Sequence, residues 1–179
     1  NHRQVLEAIT HRAGAGTETT RFFTILDKLD KVGWEEVKRL LLDAEYDIDI
    51  IDSIQRALAD KSTADQLDAL KQLLGSSDSD DDSLQDLGFL FSNLGQLSST
   101  KVVFDWTLAR GLDYYTGTIF EISAPEQVSV GSIGAGGRYD DLTGVFGMTD
   151  MSGSGISFGL VRSELVRAEL ELVPPAVHN

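Results

Sequence analysis

The chain has 179 residues, 41% of them hydrophobic and only 3 of them Pro, enough for a folded core of one or two domains. Fifteen basic residues against 29 acidic ones give a formal charge of -14, which disfavours a general binder of phosphate backbones but leaves room for a local basic pocket. With Cys at 0 there is no disulfide, thiolate metal site or cysteine nucleophile, and His2, His11 and His178 lie near the chain ends without ligand spacing, so neither a metal centre nor a histidine-based triad is expected. No apolar run approaches a bilayer span and no secretory leader is visible, so a soluble, intracellular protein is expected. The first residue is Asn1 rather than Met, and the chain opens directly on a helix entry, so a fragment of something longer is expected.

In chain order, Asn1 is the expected cap of a helix from His2 to about Arg12, with Val5, Leu6 and Ile9 at helical spacing and Gly14 as its stop. A second helix is expected over Glu18 to Lys31, carried by Phe22, Ile25, Leu26 and Leu29, and a third over Trp34 to Leu42. Ile48 to Ala59 sets Ile50, Ile51, Ile54 and Leu58 on one side, and Thr63 with Gln66 has capping-box spacing before a helix that Gly75 ends. The acidic, serine-rich stretch from Ser76 to Asp82 lacks the glycine and distal Glu of a calcium loop and reads as a solvated linker before a helix over Ser83 to Leu97.

After residue 100 the apolar period becomes strand-like and glycine becomes frequent. Val102, Val103, Phe104, Trp106 and Leu108 suggest one strand, and Thr118, Ile119, Phe120 and Ile122 another. Between them Arg110, Asp113, Tyr114 and Tyr115 would be held at the end of a sheet. A strand over Val128 to Ile133 is expected to lead into a glycine-rich turn, Gly134 to Asp140, where Gly136 and Gly137 admit close approach of a ligand and Arg138 and Asp140 orient its polar ends; a short helix follows over Asp141 to Phe146. The last unit, Gly153 to Arg162, is a strand feeding a helix through Leu165, Leu170 and Leu172, with small residues that let a flat ring lie on the backbone and Arg162 placed to cover it. Three motifs rich in Arg, Tyr and Gly, without His, Cys or an activated Ser, suit positioning of an anionic substrate for phosphoryl or nucleotidyl transfer.

RGLDYYTG, AGGRYDDL and GISFGLVR, in this order, resemble histidyl-tRNA synthetase: the first two look like its histidine signatures and the third like motif 3 of class II aminoacyl-tRNA synthetases. Upstream, DKLDKVGWEEVKRLL looks like the helical insertion between motifs 2 and 3, closest to the eukaryotic-type branch. The resemblance implies an α+β fold: a small all-helical insertion domain, residues 1-98, on the acceptor-stem side, followed over 99-179 by the C-terminal part of the class II antiparallel catalytic sheet with flanking helices. It implies a cytoplasmic histidine–tRNA ligase, an enzyme of protein biosynthesis and tRNA aminoacylation, that activates histidine with ATP and Mg2+ and transfers it to tRNA(His), working as a homodimer away from membranes.

By the same resemblance, Arg110 contacts the histidine carboxylate and the α-phosphate and is the catalytic residue. Tyr115 hydrogen-bonds the imidazole, Tyr114 shapes that pocket, and Gly136 and Gly137 line it, with Asp113, Arg138, Tyr139 and Asp140 as supports. Gly155, Gly159 and Arg162 belong to the ATP site, where the arginine stacks on adenine and contacts the γ-phosphate; no metal ligand is implied. Val161 stands where the family usually carries an acidic residue. Motifs 1 and 2 and the anticodon-binding domain are absent, so the fragment alone is expected to be inactive. The rival readings are a silent paralogue that binds histidine or uncharged tRNA, either the regulatory subunit of ATP phosphoribosyltransferase or the sensor region of a starvation-responsive kinase, and a purely structural domain.

Overall fold

The structure is a computed structural model, which describes residues 1–14, 19–59, 62–75, 78–94, 100–109 and 114–172; the side chains of residues 30 and 78–81 are also outside the described set. The first half is helical: α1 (Arg3–Arg12), α2 (Thr19–Leu26), α3 (Leu29–Val32), α4 (Trp34–Asp43), α5 (Ile48–Leu58), α6 (Thr63–Leu74) and α7 (Asp78–Leu94). The second half is a three-stranded antiparallel meander, β1 (Ile119–Ser123), β2 (Ser132–Tyr139) and β3 (Gly153–Phe158), with α8 (Leu142–Val145) between β2 and β3 and α9 (Leu160–Glu169) after β3. The fold is therefore α+β, as the motifs imply.

The helices form where the apolar period places Leu6, Ile9, Phe22, Phe23, Leu41, Ile51, Ile54, Leu70 and Leu87 inward, all fully buried in one core. Gly75 ends α6 in a left-handed conformation (φ 76°), as its position suggests. Several caps and boundaries differ from expectation. The N-cap of α1 is His2, whose Nδ1 accepts from the Gln4 N–H at 3.3 Å; the Asn1 side chain is drawn off to the carbonyls of Trp106 and Leu108. The expected helix over residues 18–31 is two: the Asp27 N–H closes the last turn of α2 on Phe23, the Lys28 N–H makes only a tighter bond to Ile25, and the chain restarts as α3. The cap of α6 is Ser62, which accepts from the Asp65 N–H, while the Gln66 side chain reaches back to the Leu58 carbonyl. The acidic stretch is not a linker from Asp78 onward: it begins α7, where the helix dipole favours negative charge at the first turns.

The strand expected around Val102 to Leu108 is absent. Asp105 accepts from the Thr107 N–H and hydroxyl, turning the chain at Trp106, and the Asn1 amide takes the carbonyls that a ladder would have used. Phe104 and Trp106 are nonetheless buried, Trp106 packing edge-on against Trp34 at 5.9 Å. They join the helical core, as does Ile119 of β1, so the core is continuous from the helices to the sheet. The N-terminal residues also touch the sheet: His2 bridges Thr118, the Arg3 N–H donates to the Gly117 carbonyl and the Ile119 N–H to the Asn1 carbonyl.

The glycine-rich run is itself the middle of β2 and not a turn after a strand. Of the strand expected over Val128 to Ile133, only Ser132 and Ile133 belong to β2; Val128 to Val130 precede it in a bend and turn, and Gly131 (φ 68°) leads into Ser132. The ladder holds Gly134, Gly136 and Gly137 extended because β1 and β3 bond to both edges. The helix after it is only Leu142–Val145, and in α9 the buried residue is Val166 while Leu165 and Leu172 are exposed.

Candidate active site

Strand alternation divides the sheet into two faces. Ile119 and Glu121 of β1, Ala135, Gly137 and Tyr139 of β2, and Gly153, Gly155 and Ser157 of β3 share one face through the register Ile119↔Gly137↔Gly155 and Glu121↔Ala135↔Ser157. The other face carries Phe120, Ile122, Ile156 and Phe158 with Gly134 and Gly136 between them. The exposed apolar bulk is on this second side, while Ile119 on the first is buried in the helical core. On β2 and β3 the first face is a strip of small residues, Ala135, Gly137, Gly155 and Ser157, bare enough for a flat ligand to lie on.

At one end of the bare face, Tyr115 lies against Gly137, with the Tyr114 ring 4.3 Å away, centroid to centroid. Burial, and then the neighbouring Tyr114 hydroxyl, push the Tyr115 phenol up to about 12. It therefore stays neutral at physiological pH and can donate a hydrogen bond to the unprotonated nitrogen of a heteroaromatic ring. Tyr139 covers Gly153 and Gly155 from the same side.

The polar residues at the end of β2 form a closed network. Thr116 Oγ1 donates to Asp140 Oδ2 at 2.6 Å and accepts from the Asp140 N–H at 3.0 Å, while Arg138 Nε donates to Asp140 Oδ1 at 3.0 Å. The Thr116 hydroxyl holds the Asp140 carboxyl below the usual carboxylate range, with the Arg138 guanidinium adding to the effect. Arg138 and Asp140 consequently bind each other and the loop, and do not open onto the bare face.

At the far end, β3 runs directly into α9 through Gly159, whose N–H donates to the Ile133 carbonyl. Arg162, on the first turn of α9, donates from Nη1 to the Ser132 carbonyl at 2.7 Å. Ile133, Ala135, Ser157, Gly159, Leu160 and Arg162 enclose an open groove of about 400 Å³. A planar ring and an anionic group fit these walls: small residues form the floor and a guanidinium the rim.

Tyr114, Tyr115, Gly136, Gly137, Arg138, Tyr139, Asp140, Gly155, Gly159 and Arg162 are thus gathered on β2, β3 and their ends, with Gly136 turned to the apolar face. Arg110 and Asp113 lie outside the described residues. Sequence reasoning missed Thr116, which sits unremarked between two motif residues and bonds Asp140.

The small-residue sheet face with an arginine at the strand-to-helix junction suits a flat, anionic ligand, and the comparisons place the chain among the aminoacyl-tRNA synthetases. A family model described as histidyl-tRNA synthetase matches residues 1–162, and the chain belongs to that family. It is 44% identical over 180 residues to a histidine–tRNA ligase of Flavobacterium johnsoniae, covering 99% of this chain and 38% of that protein. The crystal structure of histidyl-tRNA synthetase from Nostoc sp. PCC 7120 superposes with a TM-score of 0.78 at 31% identity, over 97% of this chain and 42% of that one. A Bacillus halodurans structure described as an ATP phosphoribosyltransferase regulatory subunit/histidyl-tRNA synthetase shares the fold, with a TM-score of 0.70 at 21% identity, over 94% of this chain and 42% of that one. The chain therefore spans about two-fifths of the length of the relatives it matches. Among the described residues no helix is long and apolar enough to cross a membrane.

Proposed function

We propose that this chain is the insertion and motif 3 part of a histidine–tRNA ligase, with residues 1-98 as the helical insertion unit on the acceptor-stem side and 99-179 as the C-terminal part of the catalytic core. The observation that carries this reading is the bare sheet face with Tyr115 over Gly137 at one end and Arg162 at the other. Gly137 and Ser132 are separated by roughly 16 Å of extended strand, the length scale of an aminoacyl-adenylate.

Histidine lies with its imidazole toward Tyr115, which donates a hydrogen bond to a ring nitrogen, in a pocket shaped by Tyr114 and Gly137, with Gly136 contributing only its backbone from the strand between the two faces. ATP, carried in as its Mg2+ complex, rests its adenine in the groove under Arg162, with Gly155 and Gly159 as floor. A carboxylate oxygen of histidine attacks the α-phosphorus, the bond to pyrophosphate breaks, and histidyl-adenylate forms. A ribose hydroxyl at the 3′ end of tRNA(His) then attacks the acyl carbon, the bond to the phosphate breaks, and AMP leaves as the histidyl ester forms. Arg110 meets the charge that grows on the carboxylate and α-phosphate in the transition state. Asp113, Arg138, Tyr139 and Asp140 support the pocket. The whole ligase is cytoplasmic and dimeric.

The test is histidine-dependent ATP–pyrophosphate exchange by the intact protein that carries this sequence, with Arg110→Ala beside it. Exchange that drops by about a hundredfold or more in the variant, at unchanged melting temperature, fits a lost transition-state contact. Near-normal exchange in Arg110→Ala refutes that role, and histidine binding without any exchange in the unaltered protein favours the regulatory paralogue.

A further inference from the structure

Thr116 is not one of the motif residues assigned a role, yet it makes more polar contacts than its neighbours. Its N–H donates to the Arg138 carbonyl at 3.0 Å, and its hydroxyl both donates to the Asp140 carboxylate and accepts from the Asp140 N–H. The Arg138 N–H returns a bond to the Thr118 carbonyl at 2.8 Å. The stretch from Thr116 to Thr118 is thereby stitched to the end of β2, and the side chain of Arg138 is pressed against Gly117.

Tyr115 is the residue immediately before this stitch, and its ring lies against the Gly137 backbone. We propose that Thr116 is a positioning residue: locked onto Asp140, it fixes the height and direction of Tyr115 over Gly137, and so sets the end of the pocket that recognises a heteroaromatic ring. The proposal rests on the reading of that pocket as the histidine site. A threonine suits the task because one hydroxyl serves as donor and acceptor at once, and the β-branch limits its rotamers. Arg138 completes the device by holding the second carboxylate oxygen.

The experiment compares Thr116→Val and Thr116→Ser with the unaltered intact protein in ATP–pyrophosphate exchange, varying histidine and ATP separately. Valine keeps the shape and removes both hydroxyl bonds, one of them to a charged group, so the histidine KM is expected to rise about tenfold. The ATP KM should stay within about twofold, because Arg162 and its groove lie at the opposite end of β2. Serine, which keeps the hydroxyl, should restore the histidine KM. A rise in both KM values, or a defect that serine does not rescue, makes Thr116 merely structural and overturns the proposal, as does an unchanged histidine KM in Thr116→Val. If the valine variant does not fold, Asp140→Ala replaces it, with the same selective rise expected and the same results overturning it. Absence of both histidine binding and exchange in the unaltered protein instead defeats the histidine-site reading, and this proposal with it.

Discussion

Tyr115 and Gly137 are in contact so close that no side chain fits between them: a methyl built on Gly137 would stand 2.8 Å from a Tyr115 ring carbon and 2.7 Å from the Thr118 carbonyl oxygen. The backbone oxygen cannot retreat, because it accepts the Arg138 N–H in the ladder. Gly137→Ala must therefore displace the tyrosine. The expected outcome is a loss of about 1–3 kcal/mol of stability from overpacking, together with weakened histidine binding. Urea denaturation and isothermal titration with histidine check the two effects; an alanine variant that binds as tightly as the unaltered protein would mean that the contact is incidental.

Gly136 and Gly144 give a contrasting pair. A methyl on Gly136 would collide with the Gly155 carbonyl oxygen and come within 2.6 Å of Phe120 Cζ, whereas one on Gly144 meets nothing within 4 Å. Gly136→Ala is expected to cost about 3 kcal/mol or more by prising β2 from β3. Gly144→Ala, in α8, should be neutral or stabilising by up to about 1 kcal/mol through the less flexible unfolded chain. Melting temperatures measured side by side decide this, and equal shifts would contradict it.

Asn1 ties the start of the chain to the segment before the tyrosine pair. Its Nδ2 donates to the carbonyls of Trp106 at 3.0 Å and Leu108 at 2.9 Å, and its Oδ1 accepts from the His2 N–H at 2.8 Å. Asn1→Ala leaves two carbonyls without these donors, for an expected loss of about 2–3 kcal/mol. The change should appear as reduced amide-exchange protection around residues 104–109. Unaltered protection there would show that the segment is held by Phe104 and Trp106 alone.

His2 gives the fold a dependence on acid. Burial holds its imidazole down to about 4 from the usual 6.5, opposed only in part by Asp86, whose Oδ2 is 3.9 Å from Nε2; Arg138 pushes in the same direction as burial and Asp140 against it. The unfolded chain binds a proton that the folded chain refuses between these two values. Stability therefore falls as the pH drops from about 6.5 to about 4, by up to roughly 3 kcal/mol, and is flat with respect to this group above that window. His2→Gln should remove this part of the slope in urea midpoints compared at pH 7 and pH 5. An undiminished slope would assign the effect elsewhere.

The helical half was legible from the chain because its information is local. A repeat of apolar residues every three or four positions names the buried face, and a glycine such as Gly75 stops a helix through its own backbone freedom. The three motifs were legible for a related reason: their residue types at fixed spacing point to the same chemistry wherever they occur. What the chain did not disclose depends on partners far away in sequence. Gly134 to Tyr139 is a strand because β1 and β3 supply hydrogen bonds to both its edges, although glycine has little strand preference of its own. The stretch around Trp106 has strand-like residues but no ladder, since Asp105 turns it and an asparagine 105 positions earlier takes its carbonyl. Thr116 gains its part only when Asp140, 24 positions away, is brought beside it. Composition and periodicity thus name the buried face of the helices and the residue types available for chemistry. Strand register and long-range hydrogen bonds, which have no local signal, settle which of those residues meet.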